Sequence, residues 1–185
     1  MSKRPTYEYI LAIDPGKKGA MCRLAVDRPW DVCFEFIPTK KAVYPQQLTK
    51  TGKVKKVKRK KSEPLVIYDL EKMRDVFNSL YVKKKTLVVI EEQHGRHTDS
   101  KHTVFEVGRS QAYLEMLAIV NKAPFIILPP TEWKPAYLTP GAEKSESIVE
   151  ARKLYDVELP LAKDESKAEA LLMADYVLNT KVKPA

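Results

Sequence analysis

Cysteine, histidine and long apolar runs are all scarce in this chain of 185 residues. Its two cysteines, Cys22 and Cys33, lie in strand-like runs without the paired spacing of a zinc ribbon or a dithiol motif, which excludes a disulfide framework and points to buried, reduced thiols in a cytosol. The three histidines, His94, His97 and His102, fall close together with Asp99, but Gly95 interrupts them. A polar loop is expected there rather than a zinc site. No apolar run approaches the ~20 residues of a membrane-spanning helix, and the one ahead of Asp14 is too brief for a signal-peptide core. The expectation is a soluble, cytoplasmic protein with no membrane partner and no internal repeat.

What is present is charge, unevenly placed. Between Thr39 and Pro64 stand ten bases, among them Lys53, Lys55, Lys56, Lys58, Arg59, Lys60 and Lys61, against the single acid Glu63. That arm carries the whole net charge of +9, because the other residues hold 23 bases and 23 acids. A block of this kind is attracted to polyanions, and counterion release from nucleic acid rewards the contact. The alternative is a solvated loop that only aids solubility. A hydrophobic content of 44% suits one domain with a real core over 1–185, the arm being an insertion at about 39–64.

Periodicity predicts strands over Tyr7 to Ile13, Gly19 to Val26 and Asp31 to Ile37, separated by Pro15-Gly16 and Arg28-Pro29, which suggests an antiparallel meander. Leu65 to Tyr68 reads as a short extended piece. Asp69 then caps a helix whose apolar positions Leu70, Met73, Val76, Phe77 and Leu80 recur at helical spacing. Leu87 to Ile90 and Phe125 to Leu128 read as buried strands, and Val104 to Asn121, Lys144 to Tyr155 and Ser166 to Leu178 as helices. The order predicts an α/β fold, a mixed sheet flanked by helices.

Acids gather at the edges of these elements. Asp14 ends the first strand, with Gly16 letting the backbone come close to a bound group. Glu91 and Glu92 end the run Leu87 to Ile90, a strand expected to lie beside the first, and Asp164, Glu165 and Glu169 open the last helix. Glu165 and Glu169, four residues apart, share a helical face. Carboxylates from three distant segments, without imidazole or thiolate, suit magnesium or manganese, and a pair of such ions clamps the attacking and leaving oxygens in phosphodiester hydrolysis. Each acid also has a plainer reading: Asp14 as a turn residue, Glu92 as solvated, and Ser166 with Glu169 as a capping box. The loop after Glu91, with His94, Arg96, His97 and Lys101, could touch phosphates or bases. Trp133 could simply pack, with Lys134 exposed.

The pieces Ile13-Asp14-Pro15-Gly16, Val89-Ile90-Glu91, Trp133-Lys134, Glu143-Lys144-Ser145 and Lys167 to Ala174, in this order over nearly the whole chain, resemble the RuvC-type Holliday junction resolvases of the retroviral integrase and ribonuclease H superfamily. The resemblance implies a ribonuclease H-like five-stranded mixed sheet with helices on both faces. It implies a homodimeric endonuclease that cuts four-way and other branched DNA by paired nicks, with four acids per subunit binding two magnesium ions, for which manganese substitutes. By motif position Asp14 resembles the first acid, Glu91 the second and Glu169 the last. The bacterial pattern sets the remaining acid three residues before Glu169, where this chain has Ser166, so Asp164 or Glu165 is the expected fourth ligand. Lys134 and Lys144 match lysines near the scissile phosphate, and His94 a residue that wedges against bases. The helix from Val104 to Asn121 is the expected dimer contact. The basic arm departs from the compact bacterial pattern and is reminiscent of bacteriophage-encoded members, which implies a host cytoplasm. The rivals are a non-catalytic nucleic-acid-binding protein, an RNA-directed nuclease of the same fold, and an actin-like kinase or ATPase, against which the short chain argues.

Overall fold

Ile10, Leu11, Ala12 and Ile13 are all fully buried, as a strand must be when apolar side chains point alternately to two covered faces. They form β1 (Tyr9–Asp14), the centre of a five-stranded sheet in the computed structural model, which describes residues 7–41, 66–95, 98, 100–141, 143–160 and 162–182. β2 (Ala20–Ala25) and β3 (Val32–Phe36) follow as the expected antiparallel meander. On the other side β6 (Thr86–Glu91) pairs parallel with β1, and β7 (Phe125–Leu128) pairs parallel with β6. The sheet order is β3-β2-β1-β6-β7, so the sheet is mixed.

Helices cover both faces. On one, α1 (Leu70–Leu80) buries Met73, Phe77 and Leu80, and α2 (Lys101–Val120) buries Leu114 and Ala118. Removing a fully buried ring such as Phe77 costs about 3–5 kcal/mol in folded proteins. On the other face lie the four-residue helix α3 (Pro130–Trp133), α4 (Lys144–Leu154) and α5 (Glu165–Thr180), whose Ala168, Leu171, Leu172 and Met173 are fully buried against the sheet. Asp69 stands at the N-cap of α1 as expected, and its carboxylate also accepts from Lys40 Nζ at 3.2 Å.

Two short strands were not foreseen as partners. β4 (Thr39–Lys41) and β5 (Val66–Tyr68) pair antiparallel, Thr39 opposite Tyr68, and so bring the two ends of the basic arm together. Residues 42–65, with Lys53, Lys55, Lys56, Lys58, Arg59, Lys60 and Lys61, lie outside the described residues. Both cysteines are free; Cys22 is buried as expected, but Cys33 is only partly so, and its sulfur accepts from Arg23 Nη2 at 3.3 Å. No described helix is long and apolar enough to cross a membrane.

Candidate metal centre and its cleft

The register of β1 against β6 pairs Ile13 with Ile90, so the next residue on each strand, Asp14 and Glu91, comes to the same end of the sheet. α5 packs across β1 and β2 and carries Glu169 on its second turn to that end. One carboxylate oxygen from each of Asp14, Glu91 and Glu169 lies within 4.8 Å of the others. Three segments far apart in sequence thus deliver their acids to one point.

The backbone around Asp14 is tightly determined. Gly16 has φ +133°, a conformation that side chains disfavour, and a Cβ on Gly19 would lie 2.1 Å from the Asp14 carbonyl oxygen. The sequence drew notice to Gly16; the closer constraint is at Gly19, where any side chain would push the Asp14 backbone aside.

Glu91 is held at both oxygens. The buried Trp133 donates its indole N–H to Oε1 at 3.2 Å, and Gln93 Nε2 donates to Oε2 at 3.1 Å. Trp133 therefore both packs and orients a carboxylate, a role invisible in the sequence because its partner is 42 residues away. Lys134 is not merely exposed: its Nζ sits 3.1 Å from Glu169 Oε2 and 3.7 Å from Glu91 Oε1.

The electrostatics follow from crowding. Asp14 is partly open to the cleft, yet burial, followed by the charges of Glu91 and Glu169, pushes its carboxyl well above the usual carboxylate range, against a hydrogen bond from Ser166 and the charge of Lys134. Burial likewise raises Glu91, with Glu169 adding to it and Lys134, Trp133 and Gln93 opposing. For Lys134, burial works against the ammonium, but Glu169 and Glu91 outweigh it and raise its pKa. A divalent cation would relieve this repulsion, and three carboxylates without imidazole or thiolate fit a hard one such as magnesium or manganese.

Of the two candidates for a fourth acid, neither belongs to the 4.8 Å group. Asp164 is buried, with its Oδ1 3.1 Å from Lys167 Nζ, while Glu165 lines the surrounding cleft from the first turn of α5. Ser166 does not cap its helix, since α5 already begins at Glu165; its hydroxyl goes to Asp14 instead. The capping-box reading of Ser166 and Glu169 is thereby corrected.

The cluster lies in an open cleft of about 1540 Å³, walled in part by Lys17, Lys18 and Lys163, with Thr39 of β4 on its rim. His94 also lines the cleft; its side chain is 69% exposed and its Nε2 lies 3.2 Å from Glu92. Lys144 is the first residue of α4. The expectations for Arg96, His97 and Asp99, and for the side chains of Lys144 and His102, lie outside the described residues.

Compared with known proteins, the chain matches no protein-family model and no curated protein. Among solved structures it resembles Thermus thermophilus RuvC in complex with Holliday junction substrate, with a TM-score of 0.56 and 16% identity over 95% of this chain and 97% of that one. It also resembles a Thermus thermophilus RuvC structure, with a TM-score of 0.54 and 17% identity over 96% and 99% of the two chains. The chain has a RuvC-like, ribonuclease H-like fold.

Proposed function

We propose that the protein is a metal-dependent endonuclease that resolves four-way and other branched DNA by paired nicks. The observation that carries this reading is the convergence of Asp14, Glu91 and Glu169 within 4.8 Å, beside Lys134, in a wide lysine-walled cleft. The solved RuvC structure of similar fold holds a Holliday junction substrate, which supports branched DNA as the partner.

In this reading the three acids hold the cation, magnesium in the cell with manganese able to substitute. When bound it lowers the barrier to phosphodiester hydrolysis by activating water and stabilising the leaving oxygen. The chain's own groups prepare that chemistry. Trp133 and Gln93 fix the two oxygens of Glu91, and Ser166 fixes Asp14, so the ligand oxygens are set before DNA arrives. Lys134, drawn between Glu169 and Glu91, places a fixed positive charge at the point where the transferring phosphate gains negative charge. Lys17, Lys18 and Lys163 offer phosphate contacts along the walls, with Lys144, His94, Arg96 and the basic arm as further DNA contacts. Glu165 lines the cleft wall together with Glu92 and Glu143.

Paired nicks call for two sites related by symmetry, and the outer face of α2 supports a homodimer. Phe105, Met116, Ile119 and Val120 are each more than half exposed along it, and Gly108 has nothing within 4 Å, leaving room for a second helix to approach closely. Light scattering should give the mass of two chains, and Met116→Glu should reduce it to one; a monomer on DNA would refute the pairing.

Incubation with synthetic four-way junctions, linear duplex and an RNA duplex, in magnesium or chelator, tests the function itself. Metal-dependent cutting of the junction alone is expected. Salt-sensitive binding without cutting would favour a non-catalytic binding protein, and preferential cutting of RNA an RNA-directed nuclease.

A further inference from the structure

The ladder between β6 and β7 runs one residue past Glu91, where the Glu92 N–H donates to the Leu128 carbonyl at 2.9 Å. The next N–H, of Gln93, lies beyond the strand, and a side chain takes it: Gln111 Oε1, midway along α2, accepts it at 2.9 Å. The Gln111 amide is held from behind, because its Nε2 donates to Glu115 Oε1 one helical turn on, at 2.8 Å, which leaves the oxygen facing the loop. Gln93 in turn donates its own amide to Glu91 Oε2 at 3.1 Å. Glu115, Gln111, Gln93 and Glu91 thus form one continuous chain of contacts from α2 to a carboxylate of the cluster. The same loop meets α2 again at Gly95, where an added Cβ would lie 3.0 Å from Val104 Cγ2. Another reach of α2 toward the site, from Glu106 to Lys17 at 3.4 Å, is shared with Arg109, which stands 2.7 Å from the same carboxylate, and partly solvated ion pairs hold little. The glutamine chain is the connection with a fixed direction.

We propose that Gln111 is a positioning residue for Glu91, acting through Gln93, so that α2 sets the orientation of a carboxylate on β6. The inference rests on reading the cluster as a cation site, but its first readout needs no cation.

In metal-free, full-length protein the indole N–H of Trp133, which donates to the other oxygen of Glu91, reports how that carboxylate stands. A Trp30→Phe background removes the second tryptophan and leaves one indole resonance in a proton–nitrogen spectrum. Gln111→Met, similar in size but without the amide, should shift that resonance. It should also weaken manganese binding, measured by calorimetry with manganese chloride, roughly tenfold, the scale for losing a group that orients a ligand. The exchange Gln111→Glu with Glu115→Gln keeps an acceptor for Gln93 and a donor behind it, and should restore both readouts. In a Gln93→Met background, Gln111→Met should add no further loss. A resonance and an affinity unmoved by Gln111→Met, an exchange that restores neither, or losses that add would overturn the inference, while manganese binding by the wild type leaves the nuclease reading intact. If Gln111→Met fails to fold, Gln111→Asn, which shortens the reach and stays polar, decides by the same two readouts. A wild type that binds no manganese would refute the nuclease reading itself, and the Trp133 resonance would still judge Gln111.

Discussion

Two aspartates on neighbouring elements are treated in opposite ways. Asp175 on α5 is buried and met by neutral donors: Tyr137 at 2.6 Å, Tyr155 through a short bond, and Asn179 at 3.0 Å. Asp14 receives one hydroxyl, from Ser166, and faces two more carboxylates that the charge of Lys134 offsets only in part. A chain selected for stability alone would satisfy both, since an uncompensated buried charge costs several kcal/mol. At Asp175 the fold spends two phenols and an amide to tie α5 to α4 and to the segment after α3. At Asp14 it leaves repulsion in place, and that residual repulsion is what gives a cation its affinity.

The sharpest way to break the comparison is Asp14→Asn. It should abolish cutting while junction binding, measured by gel shift, persists; full cleavage by this variant would mean that Asp14 is no more than a turn residue. Next, Lys134→Met should lower kcat by about 10²-fold, the scale of one lost charge-stabilising donor, with little change in KM; a change confined to KM would make Lys134 a simple phosphate contact. Asp175→Ala should do the reverse. It leaves two phenols without their acceptor, costs about 2–5 kcal/mol and lowers the melting temperature by roughly 2–4 °C per kcal/mol, while cutting at permissive temperature survives.

The smallest effect concerns pH. Because Asp14 and Glu91 are raised, the folded protein holds protons that the unfolded chain has already released. In chelator, the contribution of these two groups to stability is therefore fully present below the ordinary carboxylate range and is lost as pH climbs through the raised one. Thermal melts across that range should show the decline, Asp14→Asn should flatten it, and manganese should reverse it. Melting temperatures that rise with pH in chelator would contradict the crowding described at Asp14.

The strands and long helices were legible because their apolar residues repeat at periods of two and 3.6, and β1 beside β6 followed from two buried runs each ending in an acid. The convergence of Asp14, Glu91 and Glu169 was readable as an expectation for the same reason. What local pattern could not carry were partners distant in sequence: Trp133 with Glu91, Lys134 with Glu169, and β4 with β5 across the arm. Nor could it orient the start of α5. Asp164 and Glu165 looked as able to reach the cluster as any acid, but one turn of helix sends Asp164 to Lys167 and presents Ser166 to Asp14. Gly19 carried no signal beyond its type, since its constraint comes from the carbonyl it touches.

The most direct test is cleavage of an end-labelled four-way junction, with linear duplex as control, by the wild type and Asp14→Asn in magnesium and in chelator. The account predicts paired nicks in the junction by the wild type in magnesium and in no other combination. Cutting that persists without metal or without the Asp14 carboxylate, or a wild type inert on every branched substrate, would contradict it.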